Sequence, residues 1–263
     1  MRRRFEDWTT VELGEARFDL ERFVVLLPVA AVEQHGPHLP LGTDAMIADG
    51  MIETLLGVLD ETRRVVVVEP LRLGASLEHA DFPGTLDLGF ALTQETIVQA
   101  GRGLHAAGFR RIAIVSSHGG NTPSIDSGAL VLRRTLGLLV ATGSWMRFGV
   151  PDGVLPREEL AHGIHGGAVE TALMLHFRPD LVRTDRIGHA VSLQAKLEAR
   201  HAHLRAHGRL GFGWMARDLN ASGVVGDARL ATADMGRAIA RHQAEGCAAF
   251  LGDIEGFDLS DLA

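Results

Sequence analysis

The stretch that decides the fold covers residues 23–44 and reads FVVLLPVAAVEQHGPHLPLGTD. Residues 23–29 are apolar without alternation, which is typical of a strand buried on both faces of a parallel sheet. The residues that follow include Glu33, His35 and Asp44, in a loop that contains prolines and glycines. Because ligands bind beyond the carboxyl ends of parallel strands, this loop is predicted to belong to a binding site.

Further apolar runs of the same kind follow along the chain, at residues 65–70, 111–117 and 137–144. Segments with helical periodicity alternate with these runs, at residues 43–59, 93–107 and 123–136. Such alternation predicts an α/β fold, a three-layer α/β/α sandwich with a mostly parallel central sheet. We expect residues 1–263 to form a single domain of this kind.

The second half of the chain has a less regular pattern. Residues 168–177 and 232–251 have the periodicity of helices, and the polar stretch 191–208 is also predicted to be helical. Residues 151–165 and 211–227 are rich in glycine or proline and are predicted to form loops, the first with one helical turn.

Composition and charge narrow the possible functions. The net charge of −7 argues against nucleic acid as a partner, and no apolar run reaches the ~20 residues of a membrane span. The first residues, MRRRFEDW, lead into no apolar core, so no signal peptide is predicted and we expect a cytoplasmic protein. Cys247 is the single cysteine, which excludes a cysteine-based zinc site, whereas 13 histidines favour a metal or acid–base site.

The first candidate site residues are Glu33, His35 and Asp44. Glu33 and His35 are two residues apart, so on an extended segment both face one site, and a carboxylate with an imidazole suits Zn²⁺, Mn²⁺ or Fe²⁺. Asp44 is a carboxylate able to bridge two metal ions. The alternative is that Asp44 caps the next helix and that the other two form a surface pair.

His118 is the second candidate, because it directly follows the run 111–117 in the segment HGGN. A turn between a strand and a helix does not need an imidazole, and this position at a strand end favours a functional role. The alternative is a glycine-rich turn in which Asn121 caps the helix before Pro123.

His165 and Glu170 open the helix 168–177 and form the third candidate pair. A neutral imidazole is favoured near a helix amino terminus, so His165 is a candidate general base. Glu170 has apolar neighbours, and a carboxylate there is costly unless it meets a cation or metal. The alternatives are a packed loop histidine and an acid that the helix dipole stabilises.

These pieces together resemble the creatininase (creatinine amidohydrolase) family. The matching segments lie in order from about residue 23 to residue 251: VEQHGPHLPLGTD, SLEHADFPGT, SSHGGN, HGGAVETALMLHFRPDLV and GVVGDARLATADMGRAIA. The combination is specific for the family and not for one substrate. The resemblance implies a parallel sheet flanked by helices, a homo-oligomer of six subunits and a binuclear centre of divalent zinc, manganese or iron, with two ions per subunit.

The resemblance also assigns roles to residues of this chain. The metal ligands would be Glu33, His35, Asp44 as the bridge, and His118. His165 would be the acid–base residue at the substrate, and Glu170 would lie at or beside the metals, with a share in catalysis. The candidates for contact with a small-molecule substrate are Ser76, His79, Gly119 and His162.

The chain departs from true creatininases at two places. The family places Tyr and a metal-binding Glu after the histidine that matches His118, where this chain has Gly119 and Gly120. It also places Trp and Asp where this chain has Ala161 and His162. Creatinine is therefore a doubtful substrate, and either Glu170 or water is expected to complete the second metal site.

The sequence thus predicts a metal-dependent amidohydrolase that cleaves a non-peptide or cyclic amide C–N bond through a binuclear-metal-activated water. The HGGN form also resembles members that deformylate a formylamino-pyrimidine nucleotide and members that trim a peptide in mycofactocin maturation. A protein of another class, which binds a metal or ligand without turnover, remains an alternative because of the missing carboxylate at Gly120.

Overall fold

A computed structural model describes residues 2–262 and contains a central sheet with strand order β2-β1-β3-β4. Its strands are β1 (Val24–Val29), β2 (Val65–Val67), β3 (Arg111–Ser116) and β4 (Leu139–Ser144). All neighbouring pairs in this sheet are parallel. The four predicted strands are confirmed, each within a few residues of the expected bounds.

The helices form layers on both faces of this sheet. Their bounds are α1 (Thr10–Ala16), α2 (Thr43–Val58), α3 (Gly89–Ala107), α4 (Thr122–Leu136), α5 (Arg157–His162), α6 (Ala168–Phe177), α7 (Leu193–Arg200), α8 (Ala216–Leu219) and α9 (Ala233–Gly256). Helices α2, α6 and α9 cover one face, and α3 and α4 cover the other. This arrangement confirms the three-layer prediction.

Strand β1 shows why the sheet has two covered faces. Its residues are all buried, and they alternate between two cores: Val24 and Leu26 pack with α2, α6 and α9, whereas Val25 and Leu27 pack with α3 and α4. A strand needs apolar residues at every position when both of its faces are buried. The continuous apolar run, without alternation, is therefore the direct signature of this layer order.

The register of β1 with β3 brings their ends to one edge of the sheet. Val24 pairs with Arg111, and Val29 pairs with Ser116, so the two strands end side by side. The loops that follow them therefore start at neighbouring points. This is the edge at which the candidate site residues were predicted to meet.

In the second half of the chain, residues 191–208 contain less helix than predicted, and residues 211–227 contain more regular secondary structure than predicted. The stretch 191–208 is helical only at α7, which Ser192 caps by accepting a hydrogen bond from Gln194 N. The stretch 211–227, predicted as a loop, contains α8 and strand β6 (Gly226–Asp227), which pairs antiparallel with β5 (His189–Ala190). Among residues 2–262, no helix combines the length and apolar character needed to cross a bilayer.

Candidate metal centre and active site

Loops from both halves of the chain meet at the carboxyl edge of the sheet. Glu33 and His35 come after β1, His79 lies in the loop after β2, His118 follows β3, and His165 precedes α6. All five side chains are buried. The structure therefore brings together residues that the sequence placed on separate segments.

One oxygen of Glu33 lies among three imidazoles. Glu33 Oε1 is 3.2 Å from His118 Nδ1, 3.3 Å from His79 Nε2 and 3.7 Å from His165 Nδ1. Burial acts to raise the pKa of Glu33, but His118 and His79 beside it hold that pKa below its usual range. This carboxylate is therefore charged at neutral pH and attracts cations.

Asp44 faces two imidazoles through its two oxygens. Asp44 Oδ1 is 3.6 Å from His35 Nε2, and Asp44 Oδ2 is 3.6 Å from His118 Nδ1. His35 Nε2 also lies 3.8 Å from Glu170 Oε2. A carboxylate that divides its oxygens between two histidines is able to bridge two metal ions.

Asp44 does not cap α2, contrary to the alternative drawn from the sequence. Gly42 occupies the N-cap position of α2, which has no side-chain capping hydrogen bond. The hydroxyl of Thr43 donates to Pro40 O instead. Asp44 is thus left free to face the histidines, because the loop before it already closes the start of the helix.

Several buried polar atoms in this cluster have no hydrogen-bond partner: both carboxylate oxygens of Glu33, Nε2 of His35 and Oδ2 of Asp44. A buried polar atom without a partner costs roughly 1–3 kcal/mol. Ligand atoms of Glu33, His35 and Asp44 lie within 4.8 Å of one another, as do those of His35, His165 and Glu170. Nitrogen and carboxylate oxygen donors in such a group fit a divalent transition metal.

The outer nitrogens of two of these histidines are held by backbone carbonyls. His118 Nε2 lies 2.9 Å from Ala75 O, and His35 Nδ1 lies 3.2 Å from Glu33 O. In a neutral ring, a nitrogen that donates its proton outwards leaves the lone pair of the other nitrogen towards the centre. Neutral His118 would therefore offer Nδ1 to a metal there, and neutral His35 would offer Nε2.

Gln34 determines the tautomer of His79. Its Oε1 accepts from Gly36 N and its Nε2 donates to Gly223 O, so backbone groups fix the orientation of the amide. The second Nε2 hydrogen therefore points to His79 Nδ1, which is 2.8 Å away. His79 then carries its proton on Nε2, which faces Glu33 Oε1 at 3.3 Å without forming a hydrogen bond, and it offers no lone pair to a metal there.

His165 is anchored by the main chain of Gln34. Its Nε2 lies 2.8 Å from Gln34 O, which requires the proton on Nε2 and leaves Nδ1 as an acceptor facing Glu33. Burial, together with His35 and His79, lowers the pKa of His165 well below its ordinary value. The ring is therefore neutral at pH 7 and able to accept a proton.

Glu159 holds the loop that carries His165, although in the sequence it is indistinguishable from an ordinary acid in a short helix. Glu159 is buried, its Oε1 accepts from Ala168 N, and its Oε2 accepts from Asp227 N, both at 2.7 Å. A single carboxylate thus joins α6 to β6 and closes the loop on which His165 lies.

Asn121 joins the strand-end loops rather than capping α4. The structure shows no side-chain capping hydrogen bond there. Instead its Oδ1 accepts from Ala75 N, and its Nδ2 donates to Ala30 O and Ser116 Oγ. The amide therefore fixes three loops of the site relative to one another.

Two of the sequence candidates, Ser76 and His162, lie outside the cluster around Glu33 and Asp44. Ser76 is buried behind the ring of His118, with its Oγ 3.5 Å from His118 Nε2. His162 pairs with Glu198 at 3.0 Å and does not line the main cavity. His38, from the same loop as His35, is also buried and hydrogen-bonds Thr171 Oγ1.

A cavity of about 790 Å³ opens onto the cluster. The site residues that reach its wall are His79, His118, Gly119, His165 and Glu170, and the sequence reasoning missed a further one, Glu78. Apolar side chains form much of the remaining wall: Leu77, Phe90, Ile164, Phe212, Trp214 and Met215. A cavity of this volume holds a drug-sized ligand.

Comparison with known proteins agrees with this architecture. The model of the family described as "Creatininase: Creatinine amidohydrolase" matches residues 6–251. The chain belongs to the creatininase family. It is 35% identical over 227 residues to the mycofactocin precursor peptide peptidase of Mycolicibacterium smegmatis, across 86% of this chain and 83% of that protein. It is 31% identical over 190 residues to the creatinine amidohydrolase of Pseudomonas putida, across 66% and 71% of the two chains.

Solved structures of creatininases share the fold. A structure described as "Creatininase Mn" superposes with a TM-score of 0.75 at 25% identity, over 96% of this chain and 98% of that chain. The putative creatinine amidohydrolase of Bacteroides fragilis gives a TM-score of 0.78 at 24% identity, over 98% and 99% of the two chains. The chain is accordingly a hydrolase of the creatininase family, with a creatininase-like fold.

Proposed function

We propose that this hydrolase is a metal-dependent amidohydrolase with two divalent ions per subunit. Its ligands would be Glu33, His35, Asp44 as the bridge, and His118, with Glu170 completing the site beside His35. The observation that carries the proposal is the set of buried, unpartnered donor atoms on Glu33, His35 and Asp44. The solved manganese form of creatininase supports a divalent transition metal, and the donor set also suits zinc or iron.

Bound divalent metal would supply an activated water and polarise the carbonyl of the amide. The chain itself would move the proton. His165 is neutral, lines the cavity and offers Nδ1 as an acceptor, while Gln34 O holds the proton on its other nitrogen. His165 would take the proton of the attacking water and pass it to the leaving nitrogen.

Glu170 would share this proton transfer. Burial, reinforced by Asp44, raises the pKa of Glu170 to about 7, although His35 acts against the shift. Its Oε2 accepts from Gly166 N at 2.5 Å, which fixes the carboxyl group beside His165. Where water rather than Glu170 completes the second metal site, a carboxyl group that titrates near neutral pH is suited to acid–base work.

The substrate would be an amide larger and more apolar than creatinine. The cavity of about 790 Å³ exceeds what one small ring needs, and its wall includes Phe90, Phe212 and Trp214. After His118, Gly119 and Gly120 also lack the bulky side chain and the carboxylate that true creatininases have at these positions. A non-peptide or cyclic amide of this size remains the first candidate.

A peptide-derived amide is the second candidate. The size of the cavity and the 35% identity to a mycofactocin precursor peptide peptidase both favour it. The two candidates use the same metal centre, so they differ in what the apolar wall contacts rather than in the chemistry.

Metal analysis with a substrate panel tests the proposal. The purified protein should hold close to two equivalents of Zn, Mn or Fe, and should hydrolyse a member of a panel of lactams, formamides and peptides. Glu33→Gln should lose metal and activity, whereas Glu198→Gln, a surface ion-pair partner of His162, should retain both. If the wild-type protein holds no more than trace metal, the proposal is refuted. If it holds metal but hydrolyses no member of the panel, a metal-binding or ligand-binding protein without turnover is favoured.

A further inference from the structure

Glu78 is a partly buried carboxylate behind the imidazole of His118. It lies in the 3-10 turn Leu77–His79, and its side chain is 17% exposed. Its Oε1 is 3.7 Å from His118 Nε2, the nitrogen that donates to Ala75 O. Glu78 therefore lies on the outer side of a ring whose inner nitrogen faces Glu33 and Asp44.

Gly120 borders the same carboxylate. A Cβ atom at residue 120 would lie 2.3 Å from Glu78 Oε1, 2.4 Å from His118 Nε2 and 2.7 Å from Ala75 O. At the neighbouring Gly119, a Cβ atom would meet nothing within 4 Å. The space that a side chain at residue 120 would enter is therefore already taken by Glu78 and by the outer edge of His118.

The charges around Glu78 leave it in need of a cation. Within residues 2–262, His118 is its ion-pair partner and no Lys or Arg lies within that distance. A carboxylate withdrawn from water in such surroundings costs free energy unless a positive charge is close by. Here that charge comes through His118 and the cation that it would hold.

We propose that Glu78 is a positioning residue of the metal centre, which acts through His118 and supplies the negative charge that no side chain at residue 120 has room to supply. The inference rests on the proposed function. A carboxylate beyond the outer nitrogen favours the proton on Nε2, keeps Nδ1 free for the metal, and makes the imidazole a stronger donor.

Zn²⁺ binding to the metal-free protein tests this inference, with affinity measured by competition with a chromophoric chelator at pH 7. Glu78→Gln keeps the size of the side chain and removes the charge, so Zn²⁺ should bind about 10–100-fold more weakly. Glu78→Asp, which keeps the charge on a shorter side chain, should bind Zn²⁺ with an affinity between those of wild type and Glu78→Gln. The matched control is Asp81→Asn, an exposed carboxylate in the same loop, whose affinity should stay within about twofold of wild type.

The outcomes separate this inference from the proposed function. The metal-free variants should unfold at the same temperature as metal-free wild type. The weaker Zn²⁺ binding would then come from the metal site and not from a less stable fold. An unchanged Zn²⁺ affinity in both Glu78 variants overturns the inference, and if KM rises at the same time Glu78 is a substrate contact instead. If wild type itself binds no Zn²⁺, Mn²⁺ or Fe²⁺, the proposed function fails rather than the role of Glu78.

Discussion

The proposed metal donors at the sheet edge and the proposed proton-transfer residues near α6 are held by different forces. Glu33 and His118 follow β1 and β3 closely, and the parallel register of these strands determines where they lie. His165 lies on a loop instead, which hydrogen bonds from buried polar groups, above all Glu159 and the main chain of Gln34, hold in place. The sheet edge should therefore tolerate loss of a single contact, whereas the loop depends on a few side chains.

The largest expected effect comes from substitution of Asp44, the proposed bridging carboxylate. Asp44→Asn keeps the shape but removes the charge shared between His35 and His118. Metal content should fall below one equivalent, and kcat/KM should fall about 10³-fold, since metal charge stabilisation is worth several kcal/mol. The fold should persist, as circular dichroism will show.

Asp49→Asn is the matched control for this variant. Asp49 lies on the same helix, α2, and its carboxylate pairs with Arg72 at the surface. An exposed pair contributes about 0–1 kcal/mol, so metal content and activity should be those of wild type. Equal effects of the two substitutions would contradict a special role for Asp44.

The pH dependence of metal binding should distinguish His35 and His118, which are proposed ligands, from His79, which is not. In the metal-free protein burial acts to lower the pKa values of His35 and His118, but Asp44 and Glu33 outweigh it and raise them to about 9 and about 10. Both are therefore protonated below pH 9, and a metal must displace these protons. Burial lowers the pKa of His79 to about 4, so at neutral pH it has no extra proton to release.

Zn²⁺ affinity should accordingly rise at least about tenfold for each pH unit between about pH 6 and 8. Chelator competition across this range measures the slope. His79→Asn should keep the slope of wild type, whereas an affinity independent of pH would show that His35 and His118 are not the ligands.

The sequence predicted the sheet edge better than the loop for a physical reason. A continuous apolar run predicts a strand buried on both faces, and the residues after such a strand lie at the carboxyl edge of the sheet. The positions of Glu33 and His118 at this edge could therefore be predicted from the sequence alone. Glu78, Gln34 and Glu159 act through contacts between segments distant in the chain, such as Gln34 with Gly223, and no local pattern encodes these contacts. The pairing of His162 with Glu198 on α7 is another such contact between distant segments.

Glu159→Gln tests how far the loop depends on one side chain. The amide leaves one oxygen for two backbone N–H donors, Ala168 N and Asp227 N, so one of them loses its partner. The free energy of unfolding should fall by about 1.5–3 kcal/mol, as for the loss of a charged hydrogen bond. Denaturant unfolding and kcat should both report the change, while metal content stays the same.

Glu158→Gln is the control, because Glu158 is the exposed neighbour on the same helix, α5. It should change stability by no more than about 0.5 kcal/mol. A fall in metal content in Glu159→Gln would contradict the separation of the two regions.

The smallest expected effect distinguishes two adjacent glycines of the HGGN segment. At Gly119 an added methyl group meets open space, and neither glycine has a positive φ, so Gly119→Ala should raise the free energy of unfolding by up to about 1 kcal/mol through lower entropy of the unfolded chain. At Gly120 the same methyl group would meet Glu78, His118 and the carbonyl of Ala75, so Gly120→Ala should lower that free energy by about 1–3 kcal/mol. Denaturant unfolding of the metal-free variants measures both. Opposite signs at neighbouring residues would show that the second glycine is required by the packing behind His118, whereas equal signs would reduce the segment to an ordinary turn.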